Sequence, residues 1–253
     1  MKKITAFIGS ARKGGTYKAL QAFEASLKKH EAIDFEVVFL NDYDLKYCNG
    51  CKLCFDKGEE YCPLKDDRDI LIKKIQASDG VVFASPNYAF QVSGRMKTLL
   101  DRTAYYFHRP AFFQKTFTAI VTQGVFGGKK IQKYLENRGD NYGFQITKGT
   151  CVSTLEPMTD KQLQELEKKV EKAAERFHKN LQRKAPPCPS MFKLMIFRIT
   201  RKNIQAIGEK YRDYRYFKEK GWFKSDYYYD TSLGFFKKMA GAFFDSLGRL
   251  SVK

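Results

Sequence analysis

Lys3-Ile4-Thr5-Ala6-Phe7-Ile8-Gly9-Ser10-Ala11-Arg12-Lys13-Gly14-Gly15-Thr16 is the stretch that decides the fold of this chain. Its first six residues are an apolar run of strand length that stops at Gly9. Beyond it, Leu20, Phe23 and Leu27 recur at helical spacing, with Thr16 as the candidate N-cap. A strand that feeds a helix through a glycine-rich loop is the opening of a parallel βαβ unit. Helix N-termini present unpaired amides and the positive end of a dipole. With the hydroxyls of Ser10 and Thr16 and the charge of Arg12, this loop is a candidate phosphate site. Its outline is that of a nucleotide P-loop, but Gly15 stands where that motif needs lysine, and no Gly-x-Gly-x-x-Gly is present. A monophosphate held without magnesium chemistry fits better.

The same alternation continues along the chain. Phe35–Leu40 reads as a second strand, and Asp66 or Asp67 can cap a helix through Ile70, Leu71 and Ile75. Gly80–Ala84 is apolar throughout, as a strand covered on both faces should be. A helix over Ser93–Tyr106, a fourth strand over Phe117–Thr122, a helix over Lys129–Asn137 and a fifth strand over Phe144–Cys151 follow. Asp160–Arg183 is a long helix. Five strands alternating with helices predict a doubly wound parallel α/β sheet. Ligands of such sheets bind at the carboxyl ends of the strands, so each loop after a strand is a candidate wall of one site. The loop after strand three, Ser85-Pro86-Asn87-Tyr88-Ala89-Phe90-Gln91-Val92-Ser93-Gly94, offers flat aromatic surface at Tyr88 and Phe90. The loop after strand four, Thr122-Gln123-Gly124-Val125-Phe126-Gly127-Gly128, has glycines that allow close approach of a planar ring.

Four of six cysteines fall between Tyr47 and Asp67, as Cys48-Asn-Gly-Cys51-Lys-Leu-Cys54 and, seven residues on, Cys62-Pro63. A closed zinc ribbon needs two separated Cys-x-x-Cys knuckles, which are missing. Three cysteines two apart with a distal Cys-Pro suit a [4Fe–4S] cluster better. The competing reading is a structural loop at a subunit interface. Cys151 reads as a small buried hydrophobe, and Cys188 has no visible role. His30, His108 and His178 fall on helical patterns, and no residue is singled out as catalytic.

The chain has 253 residues and a net charge of +18 from 46 basic and 28 acidic residues. That is length enough for one α/β domain and an extension. The bland reading of the charge is a solvated basic surface. No zinc-finger spacing or RNA-binding aromatic motif points to nucleic acid. Apolar runs are too short for a transmembrane span or a secretory signal, so a cytoplasmic chain is expected.

Ser-x-Arg-x-Gly-Gly-Thr after strand one, Ser-Pro-x-Tyr-x-x-x-Val-Ser-Gly-x-Met-Lys after strand three and the glycine-rich loop after strand four resemble the NADPH-dependent FMN reductases of the flavodoxin-like fold. The cysteine loop narrows the resemblance to the branch that includes the iron–sulfur flavoproteins. It covers about Met1–Arg183. It implies that Ser10, Arg12, Gly15 and Thr16 hold the FMN phosphate, that Pro86, Asn87, Tyr88 and Phe90 contact the isoalloxazine, and that Gly124 and Gly127 lie on its other side. Cys48, Cys51, Cys54 and Cys62 would be the cluster ligands. The chain departs from the common pattern at Gly14-Gly15, where an Asn-containing pair is usual, and at Asn87, where a β-branched residue is common. The implied activity is NAD(P)H oxidation through FMN, hydride going to the flavin N5 and electrons on to a quinone or other small acceptor. An electron-transfer iron–sulfur flavoprotein working between proteins is the alternative, and a non-flavin P-loop phosphotransferase the third. A homodimer or homotetramer is expected.

A domain boundary is expected near the prolines of Ala185-Pro186-Pro187-Cys188-Pro189, giving a flavodoxin-like FMN domain over 1–185 and a helical extension over 186–253. From Cys188 on, 15 aromatic and 14 basic residues face 6 acidic ones. The extension reads as helices near Ser190–Lys220 and Ser232–Leu250 around a Tyr-rich turn, Lys224–Asp230. In the second helix Leu233, Phe236, Ala240, Phe243, Phe244 and Leu247 form a stripe expected to pack on the domain or a second subunit. Peripheral contact with a membrane is the other reading.

Overall fold

The computed structural model describes residues 1–250 and divides into two compact units, 1–49 with 64–184, and 50–63 with 185–250. The first unit carries the sheet. Its strands are β1 (Lys2–Ile8), β2 (Ile33–Phe39), β3 (Gly80–Pro86), β4 (Thr116–Gln123), β5 (Gln145–Ile146) and β6 (Thr150–Ser153). Every pairing is parallel, in the order β2-β1-β3-β4, with both β5 and β6 on the far side of β4. The helices are α1 (Gly15–Lys28), α3 (Arg68–Ala77), α4 (Gly94–Arg102), α5 (Gly128–Asn141) and α6 (Asp160–Leu181); a single short turn of helix, α2 (Leu53–Asp56), belongs to the second unit. This is the flavodoxin-like α/β architecture that the strand–helix alternation predicts.

Period-2 alternation sorts the sheet residues to two faces. Ile4, Ala6, Ile8, Val82, Ala84 and Ile120 join α1 and α6 in one buried cluster, where Phe23 meets Phe177 edge-on. Phe7, Phe83 and Phe117 point to the other face and pass T-shaped contacts from ring to ring. Gly139 of α5 lies against Phe117, where a Cβ would come within 2.6 Å of the ring.

The fifth strand differs from the expectation. It is split by Thr147-Lys148-Gly149, because Glu136 of α5 reaches in and accepts the Gly149 amide proton at 2.9 Å. Thr16 is not an N-cap either. Helix α1 begins two residues earlier than a Thr16 cap would place it, with Gly14 in the cap position and no side-chain cap. Asp67 occupies the N-cap position of α3 without a side-chain cap bond, while the Asp66 carboxylate accepts the Arg68 amide at the start of the helix at 3.2 Å. The two side chains also accept the backbone amides of Lys46 and Asp44. Asp66 also takes both terminal nitrogens of Arg102, with both side chains buried. Burial pushes the Asp66 carboxyl up, but the hydrogen bonds from Arg102 and the Lys46 and Arg68 amides outweigh it and hold it below its ordinary value. This clamp fixes the two points where the cysteine segment leaves and re-enters the first unit. Among the described residues no helix is long and apolar enough to cross a membrane.

The second unit contains α7 (Met191–Ile207), α8 (Arg212–Glu219) and α9 (Phe235–Leu250), with Gly50–Pro63. The helix expected over Ser190–Lys220 breaks at Gly208, whose φ of +82° an L side chain rarely adopts. An aromatic core joins Phe197, Phe217, Trp222, Tyr227 and Tyr228, and the Trp222 Nε1–H donates to the Tyr228 carbonyl at 3.0 Å. The cysteine segment packs here: α2 contacts α8, and Arg215 donates to the Lys57 carbonyl at 2.9 Å. The expected stripe on α9 is not packed as a unit. Leu233 is buried, but Phe236 and Phe243 are exposed, because α9 turns Gly241, Asp245 and Gly248 inward. Asp245 accepts from Arg198 at 3.0 Å and from the Arg201 Nε–H at 2.9 Å. Replacing Asp245 with Ala removes the carboxylate shared by two buried guanidinium groups. The D245A chain is expected to lose on the order of 3 kcal/mol from the unfolding of this unit, read as a lower denaturation midpoint by far-UV circular dichroism. An unchanged midpoint would show that the pair does not hold the helices.

Candidate cofactor site

A parallel sheet ends its strands at one edge, and the loops after β1, β3, β4 and β6 enclose a cleft of about 430 Å³ there. That volume is in the usual range for a small-molecule site. Strand β1 leads into it with its pairing intact: the Gly9 amide donates to the Ala84 carbonyl at 2.8 Å. Ser10 is buried and donates to the Arg12 carbonyl at 3.0 Å, which curls the loop. Helix α1 starts at Gly15 with no acidic residue in its first turn and no side-chain cap, so its leading amides face the cleft without a protein acceptor from a cap. Arg12 and Lys13 stand beside them. Gly15 sits against Thr154, where a Cβ would come within 2.6 Å, so a larger residue would close this end of the cleft. Thr16 pairs its hydroxyl with that of Thr122 at 2.7 Å, joining α1 to β4 under the loop.

The β3 loop is held from both sides. The Asn87 amide donates to the Thr122 carbonyl at 2.7 Å, extending the β3–β4 ladder past Pro86. Ser93 caps α4 by accepting from the Met96 amide, and its own amide donates to the Ser85 hydroxyl at 3.0 Å. Between them, Tyr88 and Gln91 exchange two backbone hydrogen bonds around Ala89 and Phe90. Those two residues have φ of +48° and +62°. Tight hairpin turns with two positive φ values favour Asn-Gly, and non-glycine residues there carry strain. Asn87 donates to the Phe126 carbonyl at 2.9 Å, but its Oδ1 is buried without a donor. The β4 loop is tied by Gln123, which accepts from the Gly128 amide at 2.7 Å and donates to the Val125 carbonyl at 3.0 Å.

The cleft brings together Ser10, Arg12, Gly15, Thr16, Pro86, Asn87, Tyr88 and Gly124. Phe90 and Gly127 do not line it. Phe90 is exposed, and its ring lies over Gly127 and beside Phe126. The cleft adds residues the sequence reading did not single out, among them Lys13, Thr122, Gln123, Thr154, Leu155 and Glu156. Thr154–Glu156 follow a strand, so the rule that loops after strands form the walls could have found them. Glu156 is paired with Lys18 at 3.0 Å on the surface.

Cys48 and Cys51 are exposed and Cys54 and Cys62 half-buried. Among the described residues no three His, Cys, Asp or Glu side chains gather as ligands for a metal ion. Cys48 belongs to the first unit and Cys51, Cys54 and Cys62 to the second. Cys151 is half-buried beside Gly128, and burial pushes its thiol up, which keeps it protonated.

The family model for NADPH-dependent FMN reductase matches residues 2–156. An iron–sulfur flavoprotein of Archaeoglobus fulgidus is 39% identical over 127 residues, covering 49% of this chain and 56% of that protein. The chain thus spans little more than half the length of that relative. Among solved structures, an NAD(P)H:quinone oxidoreductase from Methanothermobacter marburgensis superposes with a TM-score of 0.54 at 18% identity, over 69% of this chain and 95% of the other. An azoreductase from Bacillus anthracis gives 0.54 at 16%, over 71% and 100%.

The strained turn yields a test of opposite signs. Asn tolerates positive φ, so Ala89→Asn is expected to raise stability by about 0.5–1 kcal/mol, whereas β-branched Ala89→Val lowers it by at least about 1 kcal/mol. Paired thermal melts check this, and equal melts for the two variants would mean the turn is not held in that conformation.

Proposed function

Because the chain belongs to the NADPH-dependent FMN reductase family, we propose that the cleft of its first unit binds FMN and that the protein is an NAD(P)H-dependent oxidoreductase acting on a small planar acceptor. The observation that carries this reading is the uncapped N-terminus of α1 beside Arg12, Lys13 and the Ser10 and Thr16 hydroxyls. Helix dipole, amides and guanidinium favour a dianion there, and the lysine that triphosphate chemistry requires is replaced by Gly15. When bound, FMN would supply the redox chemistry, taking hydride from a nicotinamide and passing electrons on.

The chain's own residues then bind and orient. Arg12 and Lys13 neutralise the phosphate. The Thr16–Thr122 pair fixes the helix start against β4. Pro86, Asn87 and Tyr88 form one wall, and Gly124 lets the opposite backbone approach a ring. Tyr88, Phe90 and Phe126 are exposed aromatic residues on the β3 and β4 loops, a surface suited to a planar nicotinamide or acceptor. A quinone is the acceptor class this surface suits and the one in the name of the Methanothermobacter neighbour, with which the chain shares its fold.

Replacing Arg12 and Thr16 together with Ala should raise the Kd for FMN at least about tenfold, the loss of about 1.5–3 kcal/mol of charge-assisted contact. Fluorescence titration of FMN into the two proteins reads this directly. An unchanged Kd would remove the phosphate from the first loop.

A further inference from the structure

Helix α9 is turned the wrong way round for a helix in water. Its buried positions are Gly241, Asp245 and Gly248. Its large apolar residues face out: Phe236 is 81% exposed, Phe243 60% and Leu250 66%. Positions 236, 239, 243, 247 and 250 recur at helical spacing, so Met239 and Leu247 complete one continuous face. Helix α7, packed beside it, adds exposed Phe192 and Ile196 one turn apart. The inversion has a local cause. Asp245 is bound by Arg198 and Arg201, and Gly248 comes so near α7 that a Cβ would lie 3.2 Å from the Ile199 Cα. The small and charged residues must therefore face α7, and the aromatic ones are left outside.

The charge on these two helices has one exposed sign. Helix α7 has no acidic residue, and Asp245 of α9 is buried in its arginine pair. The exposed charged residues are Lys193, Lys238 and Arg249, with Lys202 and Lys237 half-buried. A face of Phe, Met and Leu on two helices whose exposed charges are all cations matches the composition of helices that lie in a lipid interface. It matches a second copy of this chain poorly, since an isologous contact would set cations against cations with no exposed acid on either helix to pair them.

We propose that the exposed face of α7 and α9 docks on an anionic lipid surface, the Phe and Leu side chains entering the boundary below the headgroups while the basic residues meet their charge. The inference does not rest on the redox reading of the first unit, and its test uses no flavin signal.

The full chain is mixed with vesicles of phosphatidylcholine alone or of phosphatidylcholine with about a quarter phosphatidylserine, and sedimented. It is expected to partition onto the anionic vesicles at least about tenfold more strongly than onto the neutral ones, and to be released by added salt. Phe236→Ser with Phe243→Ser should cut that partition at least about tenfold. Lys238→Glu with Arg249→Glu, which keeps the apolar face, should do the same. Unchanged far-UV circular dichroism in each variant shows that the fold is intact. Equal partition onto both vesicle types, or binding that survives both double substitutions, overturns the proposal. So does a dimer in vesicle-free buffer that the Phe substitutions dissociate, which would assign the face to a second copy.

Discussion

The strands of the first unit all run in one direction, so every strand in it ends at the same edge, and the chain must form a loop there before each returning helix. The first amides past β1 and β3 keep their ladder partners, so the unpaired donors at that edge come from the uncapped helix that begins at Gly15. Those donors favour a ligand rich in acceptors. The loops are tied to one another by Thr16–Thr122, by Asn87 to the Thr122 carbonyl, and by Gln123 to the start of α5. The cleft is thus held by the sheet, and its shape follows from bonds within the first unit.

The second unit is organised by a different constraint, the need to satisfy two buried arginines. Taking Arg198 and Arg201 out of water is costly, and Asp245 with Asp226 and the Ser225 carbonyl compensates them. The carboxylate sits on α9, so α9 must present that face to α7 whatever its hydrophobic pattern prefers. Charge satisfaction outweighs apolar burial here, since an unpaired buried charge costs more than an exposed phenylalanine.

The architecture and most of the cleft were legible in the residues. Apolar runs stopping at glycine mark strand ends, and the loops after β1 and β3 carry their own chemistry in Ser10, Arg12, Asn87 and Tyr88. What was not legible depended on contacts distant in sequence. Nothing near Thr16 says that its hydroxyl will meet Thr122 rather than cap a helix. The break between β5 and β6 requires Glu136 to reach the Gly149 amide. The helical spacing of Phe236 and Phe243 identifies an apolar face but not the side on which Asp245 will be held. The family resemblance places Phe90 and Gly127 at the ring, whereas a turn with two positive φ values carries Phe90 over Gly127 and outside the cleft lining.

The most direct test of the redox account is an anaerobic titration of the FMN-loaded chain with NADH and with NADPH, followed by flavin absorption. The account predicts that at least one nucleotide bleaches the yellow band and that benzoquinone restores it. Stoichiometric FMN that neither nucleotide bleaches, or a chain that holds no FMN, would contradict it.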